Sequence, residues 1–234
     1  IKKSAFTNTN SDLSKYKPVC LENELKEYKV FKMIDNNNNV FLGQIYNKEI
    51  NGFCRNEIIN FYRKLNVLSQ INHPSILNII GFGFTSNDNK QVPVILTEFC
   101  DGFYSKAKLS ITRKLSIIYA IASAMAYLHS HDIIHRDLKT DNILLYNNIL
   151  PKLTGFDISK QLNDNTIDDS DKIKGTPIYI APEVYLNKEY SKASDVYSFG
   201  LVMYEIITDF RPFGNLNTPS QIKKNVAENG ELPK

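Results

Sequence analysis

The spacing of the apolar residues changes near residue 100, and that change sets what the chain can fold into. Up to Phe99 they come in short β-like runs: Tyr28 to Ile34, Val40 to Tyr46, Ile76 to Phe84 and Val92 to Phe99. Asp35-Asn36-Asn37-Asn38-Asn39 separates the first pair, and asparagine accepts the left-handed backbone of a tight hairpin. Ser86-Asn87-Asp88-Asn89 forms a turn in the second pair. Between the pairs, Ile58, Phe61, Leu65 and Leu68 make a helical stripe within Glu57 to Ser69. From Thr112 the pattern is helical. Leu115, Ile118, Ala122, Met125 and His129 line one face of a helix ending near Ser130, and Asp195 to Ile207 is apolar nearly all round, as in a helix inside a domain. Thr218-Pro219-Ser220-Gln221 is a capping box with Pro in the first helical position, and Gly230 is a stop. The expected class is α+β: a small antiparallel sheet with one packed helix, then a larger, mostly α part. Residues 1–15, polar and rich in Ser, Thr and Asn, read as a tail or linker.

With 42% apolar and 23% charged residues in 234, the chain can bury a substantial core. A formal charge of +3, scattered along the sequence, argues against nucleic acid or an anionic membrane as partner. The longest apolar stretch, Ile117 to Leu128, is too short to span a bilayer. No basic-then-apolar leader is expected at the start, and the opening Ile1 reads as a fragment or interior domain. Cys20, Cys54 and Cys100 lie far apart without C-x-x-C spacing, so they are expected to be small semi-buried hydrophobes in a reducing cytoplasm.

Ile134-His135-Arg136-Asp137-Leu138-Lys139-Thr140-Asp141-Asn142-Ile143-Leu144-Leu145 resembles the catalytic loop of protein kinases. Gly175-Thr176-Pro177-Ile178-Tyr179-Ile180-Ala181-Pro182-Glu183 resembles the end of their activation segment, and Ser194-Asp195-Val196-Tyr197-Ser198-Phe199-Gly200 the start of their large buried helix. His73-Pro74 and the gatekeeper-and-hinge stretch Thr97-Glu98-Phe99 match the small lobe. The resemblance implies a bilobal kinase-like fold, with a small lobe over 16–101 and a larger one over 102–234. Lys139 with Gly175-Thr176-Pro177 points to the Ser/Thr side, and Ser69 to Pro74 with Asp195 to Gly200 to the tyrosine-kinase-like branch.

By the same resemblance Asp137 is the proton acceptor, Lys139 stabilises the transferring phosphoryl group and Asn142 helps hold metal. Val30, Leu42, Gln44, Thr97, Glu98, Cys100 and Leu144 would surround a nucleotide. His135, Arg136, Phe156, Leu68, Ile79, Thr176, Glu183 and Asp195 are structural. Thr166 and Ser170 are regulatory candidates whose phosphate Arg136 would receive, whereas Tyr179 and Tyr190 read as packing residues.

Four departures put catalysis in doubt. Where the family places D-F-G the chain reads Gly155-Phe156-Asp157, so the metal-binding carboxylate is gone from its position. Asp157, a substitute metal ligand, lies two residues on, up to roughly 7 Å along an extended chain. The strand lysine falls on Gln44, and Leu42 replaces a small residue at the adenine. The next lysine, Lys48, falls beyond the strand, which leaves Lys29 or Lys32 as rescuers from the neighbouring strand. The lysine's glutamate partner falls on Lys64, and Glu57 is roughly 10 Å away along the helix. The phosphate loop, Asn23 to Val30, contains no glycine, and Glu24 and Glu27 add negative charge.

The leading expectation is a pseudokinase that scaffolds or allosterically regulates partner proteins, with no cofactor and no membrane insertion. One rival is a divergent Ser/Thr kinase using ATP and Mg²⁺ with Asp157 as metal ligand. Another is a metal-independent nucleotide switch. The chain ends at Lys234, short of the family's last helices, and an unpaired Glu183 is expected to cost stability.

Overall fold

The computed structural model describes residues 13–25, 27–87, 90–104, 109–162, 173–216 and 218–233. The described residues up to Asn72, with Leu77–Asp101, form one unit, and His73–Ile76 with those from Gly102 onward form another. His73-Pro74, expected in the small lobe, therefore belongs to the second unit.

The first unit is an antiparallel sheet of β1 (Lys17–Glu24), β2 (Tyr28–Ile34), β3 (Val40–Tyr46), β4 (Ile79–Asn87) and β5 (Lys90–Glu98), in the order β1-β2-β3-β5-β4. The β2–β3 hairpin closes as its asparagines suggested: Asp35 Oδ1 accepts from the Asn37 and Asn39 amides at 2.9 and 2.8 Å, and Asn38 takes φ 62°. β1 is not legible in the sequence, and its neighbour Leu13–Lys15 is a short 3-10 turn rather than part of a tail. It is an edge strand exposed along nearly its whole length, so no buried face imposes an apolar alternation. α1 (Arg55–Gln70) lays Phe61 and Leu65 against Tyr46, Phe53 and Ile95, with Ile58 and Ile79 at the edge of this cluster. Tyr46 and Phe61 meet edge-to-face at 5.1 Å.

The second unit is built on α2 (Ile111–Ser130) and α4 (Lys192–Thr208). Strands β6 (Gly102–Phe103), β8 (Ile143–Tyr146) and β9 (Leu150–Leu153) form one small sheet, and β7 (Ile133–Ile134) pairs with β10 (Lys160–Gln161). α3 (Pro182–Asn187) and α5 (Pro219–Ile222) complete it. In α5 the capping box is formed: Thr218 Oγ1 accepts from the Gln221 amide at 3.2 Å, and the Thr218 amide donates to Gln221 Oε1 at 3.1 Å. No helix of the described residues is long and apolar enough to cross a membrane.

Three expectations are corrected. The buried stripe of α2 is Ile117, Ile121, Ala124, Met125 and Leu128, one residue round from the face expected, and Leu115 is 53% exposed. Both stripes share the helical period, and the core takes the one free of His129, which is drawn instead to Asp195. α4 is not buried all round: Val196 and Met203 face outward, while its buried face carries Ser194, Asp195, Ser198 and Glu205 beside Leu201, Val202 and Ile206. Cys20 and Cys54 are exposed, and only Cys100 is buried. Cys54 begins α1, where its amide donates to Glu57 Oε2 at 2.6 Å.

The α2 assignment predicts that Leu128→Ala costs about 2–5 kcal/mol in urea unfolding. Leu115→Ala stays within about 0.5 kcal/mol of wild type. His73 gives a pH dependence. Its Nδ1 accepts from the Ser75 amide at 3.1 Å, which leaves the proton on Nε2 facing Ser123 Oγ at 3.1 Å. Burial, then Lys152, lowers its pKa from the usual 6.5, so the unfolded chain binds the proton more readily and stability falls as pH drops below 6.5. The melting temperature of wild type is therefore expected to fall from pH 7 to pH 5, more steeply than that of His73→Gln.

Candidate active site

The catalytic-loop residues are organised around one buried carboxylate. Asp195, 1% exposed, accepts from the His135 amide at 2.7 Å on Oδ2 and the Arg136 amide at 2.9 Å on Oδ1, with His129 Nε2 3.0 Å from Oδ2. This holds Arg136 in the left-handed region, at φ 71°. The His135 Nε2 lies 2.8 Å from the Thr154 carbonyl, and its ring meets Phe156 edge-to-face at 4.9 Å. Phe156 is fully buried, so it keeps the packing role expected of it.

Asp137 sits in a closed network. Its Oδ1 accepts from the Thr176 amide at 2.9 Å and the Thr176 hydroxyl at 2.7 Å. Its Oδ2 accepts from Asn142 Nδ2 at 3.1 Å and faces Lys139 Nζ at 3.4 Å. Lys139 Nζ in turn donates to Thr176 Oγ1 at 2.8 Å, and Asn142 Nδ2 also donates to the Asp137 carbonyl at 2.7 Å. The structure thus brings together Asp137, Lys139, Asn142 and Thr176. Beneath them the buried Glu205 accepts from Thr140 Oγ1 at 3.0 Å and from the Tyr179 hydroxyl. Burial and that bond push the Tyr179 phenol well above its ordinary range.

The metal side is different. Gly155 has φ 86°, and a Cβ built there would lie 2.4 Å from Asn142 Nδ2 and 2.5 Å from its Cγ. The Asn142 side chain fills the space through which a carboxylate at position 155 would extend. Asp157 lies within the short helical turn Phe156–Ile158. No group of three or more His, Cys, Asp or Glu among the described residues is arranged to hold a metal ion. Hard divalent cations require oxygen ligands, and the side chain at position 155 supplies none.

In the first unit Val30, Gln44 and Ile95 stand in one cross-strand row, and Lys32, Leu42 and Thr97 in the next, on the same face of the sheet. Gln44 is the strand residue that faces α1: Lys64 Nζ donates to its Oε1 at 2.9 Å and lies 5.0 Å over the Tyr28 ring. Sequence reasoning paired these two positions but missed this hydrogen bond. A neutral amide and a lysine form no salt bridge, yet the amide oxygen is an acceptor for the ammonium. Glu57 is turned to Lys48 at 2.8 Å. Lys48 lies beyond β3, as expected. Of the proposed rescuers, Lys29 pairs with Glu24 at 3.1 Å, and Lys32 Nζ lies 5.1 Å over the Phe99 ring. Glu98 Oε1 accepts from the Asn78 amide at 2.7 Å, and the buried Thr97 hydroxyl has no hydrogen-bond partner among the described residues. Between Glu24 and Tyr28 only residues 25–27 remain, and the Leu25 and Glu27 carbonyls accept from Asn47. Leu144, in the second unit, is buried on β8.

A family model, the protein kinase domain, matches residues 26–233. The chain belongs to the protein kinase domain family. Its relatives include a "probable serine/threonine-protein kinase" of Dictyostelium discoideum, 38% identical over 64% of this chain and 26% of the relative. The cAMP-dependent protein kinase type 3 of Saccharomyces cerevisiae is 39% identical over 65% of this chain and 38% of the relative. A serine/threonine-protein kinase of Arabidopsis thaliana is 33% identical over 73% and 21%. The chain therefore spans between about a fifth and two fifths of these relatives.

In this kinase domain the segment before Thr176 is anchored by Tyr190. The Tyr190 hydroxyl accepts from the Lys174 amide at 2.7 Å and donates to its carbonyl, and the Arg136 guanidinium stacks 4.2 Å over the ring. Thr166 and Ser170 lie outside the described residues. Glu183 is half-buried at the start of α3.

The packing at Gly155 predicts that Gly155→Asp, which writes a carboxylate into the family's position, destabilises the domain by about 1–3 kcal/mol in chemical denaturation. Removing the obstacle with Asn142→Ala in the same chain is expected to recover part of that loss, leaving a coupling of about 1 kcal/mol between the two sites.

Proposed function

We propose that this kinase domain is catalytically impaired: a pseudokinase of the tyrosine-kinase-like branch that scaffolds or allosterically regulates partner proteins in cytoplasmic signalling. The observation that carries this reading is the Asn142 side chain in the space beside Gly155, where phosphoryl transfer needs an oxygen ligand for metal. The exchange of lysine and acid into Gln44 and Lys64 supports it, because β3 carries a neutral amide where the family places its phosphate-gripping lysine. The branch rests on the Ser69 to Pro74 and Asp195 to Gly200 segments. The partners are other proteins, since the dispersed charge of +3 gives no footprint for nucleic acid.

One observation favours a second reading, a divergent Ser/Thr kinase: Asp137, Lys139 and Thr176 keep a mutual geometry suited to receiving a hydroxyl. Transfer of labelled γ-phosphate from ATP to protein hydroxyls, with Mg²⁺ or Mn²⁺, separates the two. The pseudokinase reading predicts a rate no higher than that of Asp137→Asn. Turnover that Asp137→Asn lowers about 100-fold or more would establish the second.

A further inference from the structure

Two edges bound the first unit's sheet, and only one of them is guarded against pairing with another strand. β1 carries Lys17, Pro18, Glu22 and Glu24 and breaks its register with β2 twice, features that keep a further strand from adding to an edge. β4, at the other edge, has no charged residue and no proline, and its register with β5 is unbroken from Gly81 to Asn87. Phe84 stands opposite Pro93, which has no N–H to donate. The two therefore form a non-hydrogen-bonded pair, and the Phe84 amide and carbonyl point away from β5. On that side the described residues supply no further strand. The Phe84 side chain is 46% exposed. Two residues before it, on the same face of the strand, Phe82 packs on the cluster of Tyr46, Phe53, Phe61, Leu65 and Ile95.

We propose that β4 is a homodimer interface, pairing antiparallel with β4 of a second copy about a two-fold axis that passes through Phe84. In this register Phe84 and the second copy's Phe84 exchange both of their backbone hydrogen bonds, and Gly83 lies opposite Thr85. A residue on a two-fold axis meets itself, so a charge there repels and an aromatic ring finds a partner. Phe84 meets that condition: its aromatic cross-strand pair joins the apolar clusters of both copies by way of Phe82. A strand from another protein would have to bring an uncharged, proline-free segment to match this edge, and a second copy brings one by identity. The inference goes beyond the proposed function and does not depend on it, since it concerns the assembly of the first unit rather than phosphate transfer.

A single strand pair buries less than the roughly 1,200 Å² at the lower end of stable interfaces, so the dimer is expected to be weak, forming at about 10–100 µM protein. The test is analytical ultracentrifugation of the 234-residue chain across and beyond that range. The mass of wild type is expected to rise from 26.8 kDa at the lowest concentration towards twice that value. Phe84→Lys and Phe84→Glu each place like charges on the axis, and each alone is expected to stay at 26.8 kDa throughout. Mixed in equal amounts, the two variants meet as an ion pair and are expected to regain the dimer, which a folding defect in either would not allow. Leu21→Lys, on the guarded edge, is expected to associate as wild type does. A wild type that remains at 26.8 kDa at every concentration overturns the proposal and leaves the edge to a strand of another protein. Association that survives Phe84→Lys overturns it as well, as does a loss in Leu21→Lys equal to that in Phe84→Lys, which would put the contact on β1. An equal mixture of the two Phe84 variants that stays monomeric overturns the two-fold through Phe84.

Discussion

The Asp195 carboxylate, buried at the start of α4, fixes the loop that carries every retained active-site residue of the second unit. It accepts two consecutive backbone amides, from His135 and Arg136, and so sets the left-handed turn from which Asp137 and Lys139 project. Loss of a buried acceptor of this kind leaves two amides unsatisfied, each at a cost of about 1–3 kcal/mol. Nothing in this brace involves nucleotide or metal. The Asp137, Lys139, Asn142 and Thr176 network grows out of it and ties the segment around Thr176 to the loop. These side chains hold the second unit together whether or not the domain transfers phosphate, which gives a physical reason for catalytic-loop residues to persist beside a glycine at position 155.

Each loss in the family pattern is filled locally. Glycine at position 155 removes a side chain, and Asn142 occupies the space. Glutamine at position 44 removes a cation, and Lys64 restores the tie between strand and helix with the charge on the opposite partner. In the turn between β1 and β2 the Leu25 and Glu27 carbonyls are engaged by Asn47. An interior packed like a solid tolerates neither voids nor unpaired polar groups, so such exchanges come in complementary sets.

What the sequence made legible follows the same physics. β2 and β3 are read to the residue because one face of each is packed and Asn-rich turns bound them. The exposed edge strand β1 carries no such pattern and stays invisible. On α2 the period was right and the face one residue off, because apolar residues occupy more than one face and only the position of Asp195, far along the chain, draws His129 away from the core. In the site, counting along motifs placed Asp137, Asn142, Gln44 and Lys64, since those spacings are fixed by the backbone. The contact between Lys64 and Gln44, the filling of the Gly155 space and the roles of Glu205 and Tyr190 depend on tertiary neighbours 20 or more residues apart or on side-chain packing. A reversed pair of polar residues at positions the fold brings together is the one signal of the Lys64–Gln44 contact that the sequence carries.

The central claim, that Gly155 and Asn142 leave no divalent-metal site, is tested most directly by growing crystals with ATP and Mn²⁺ and measuring the anomalous difference map. The account predicts no manganese peak within bonding distance of the Asn142 Oδ1, with the Asn142 amide still on Asp137. A peak ligated by Asn142 and the Asp157 carboxylate would contradict it.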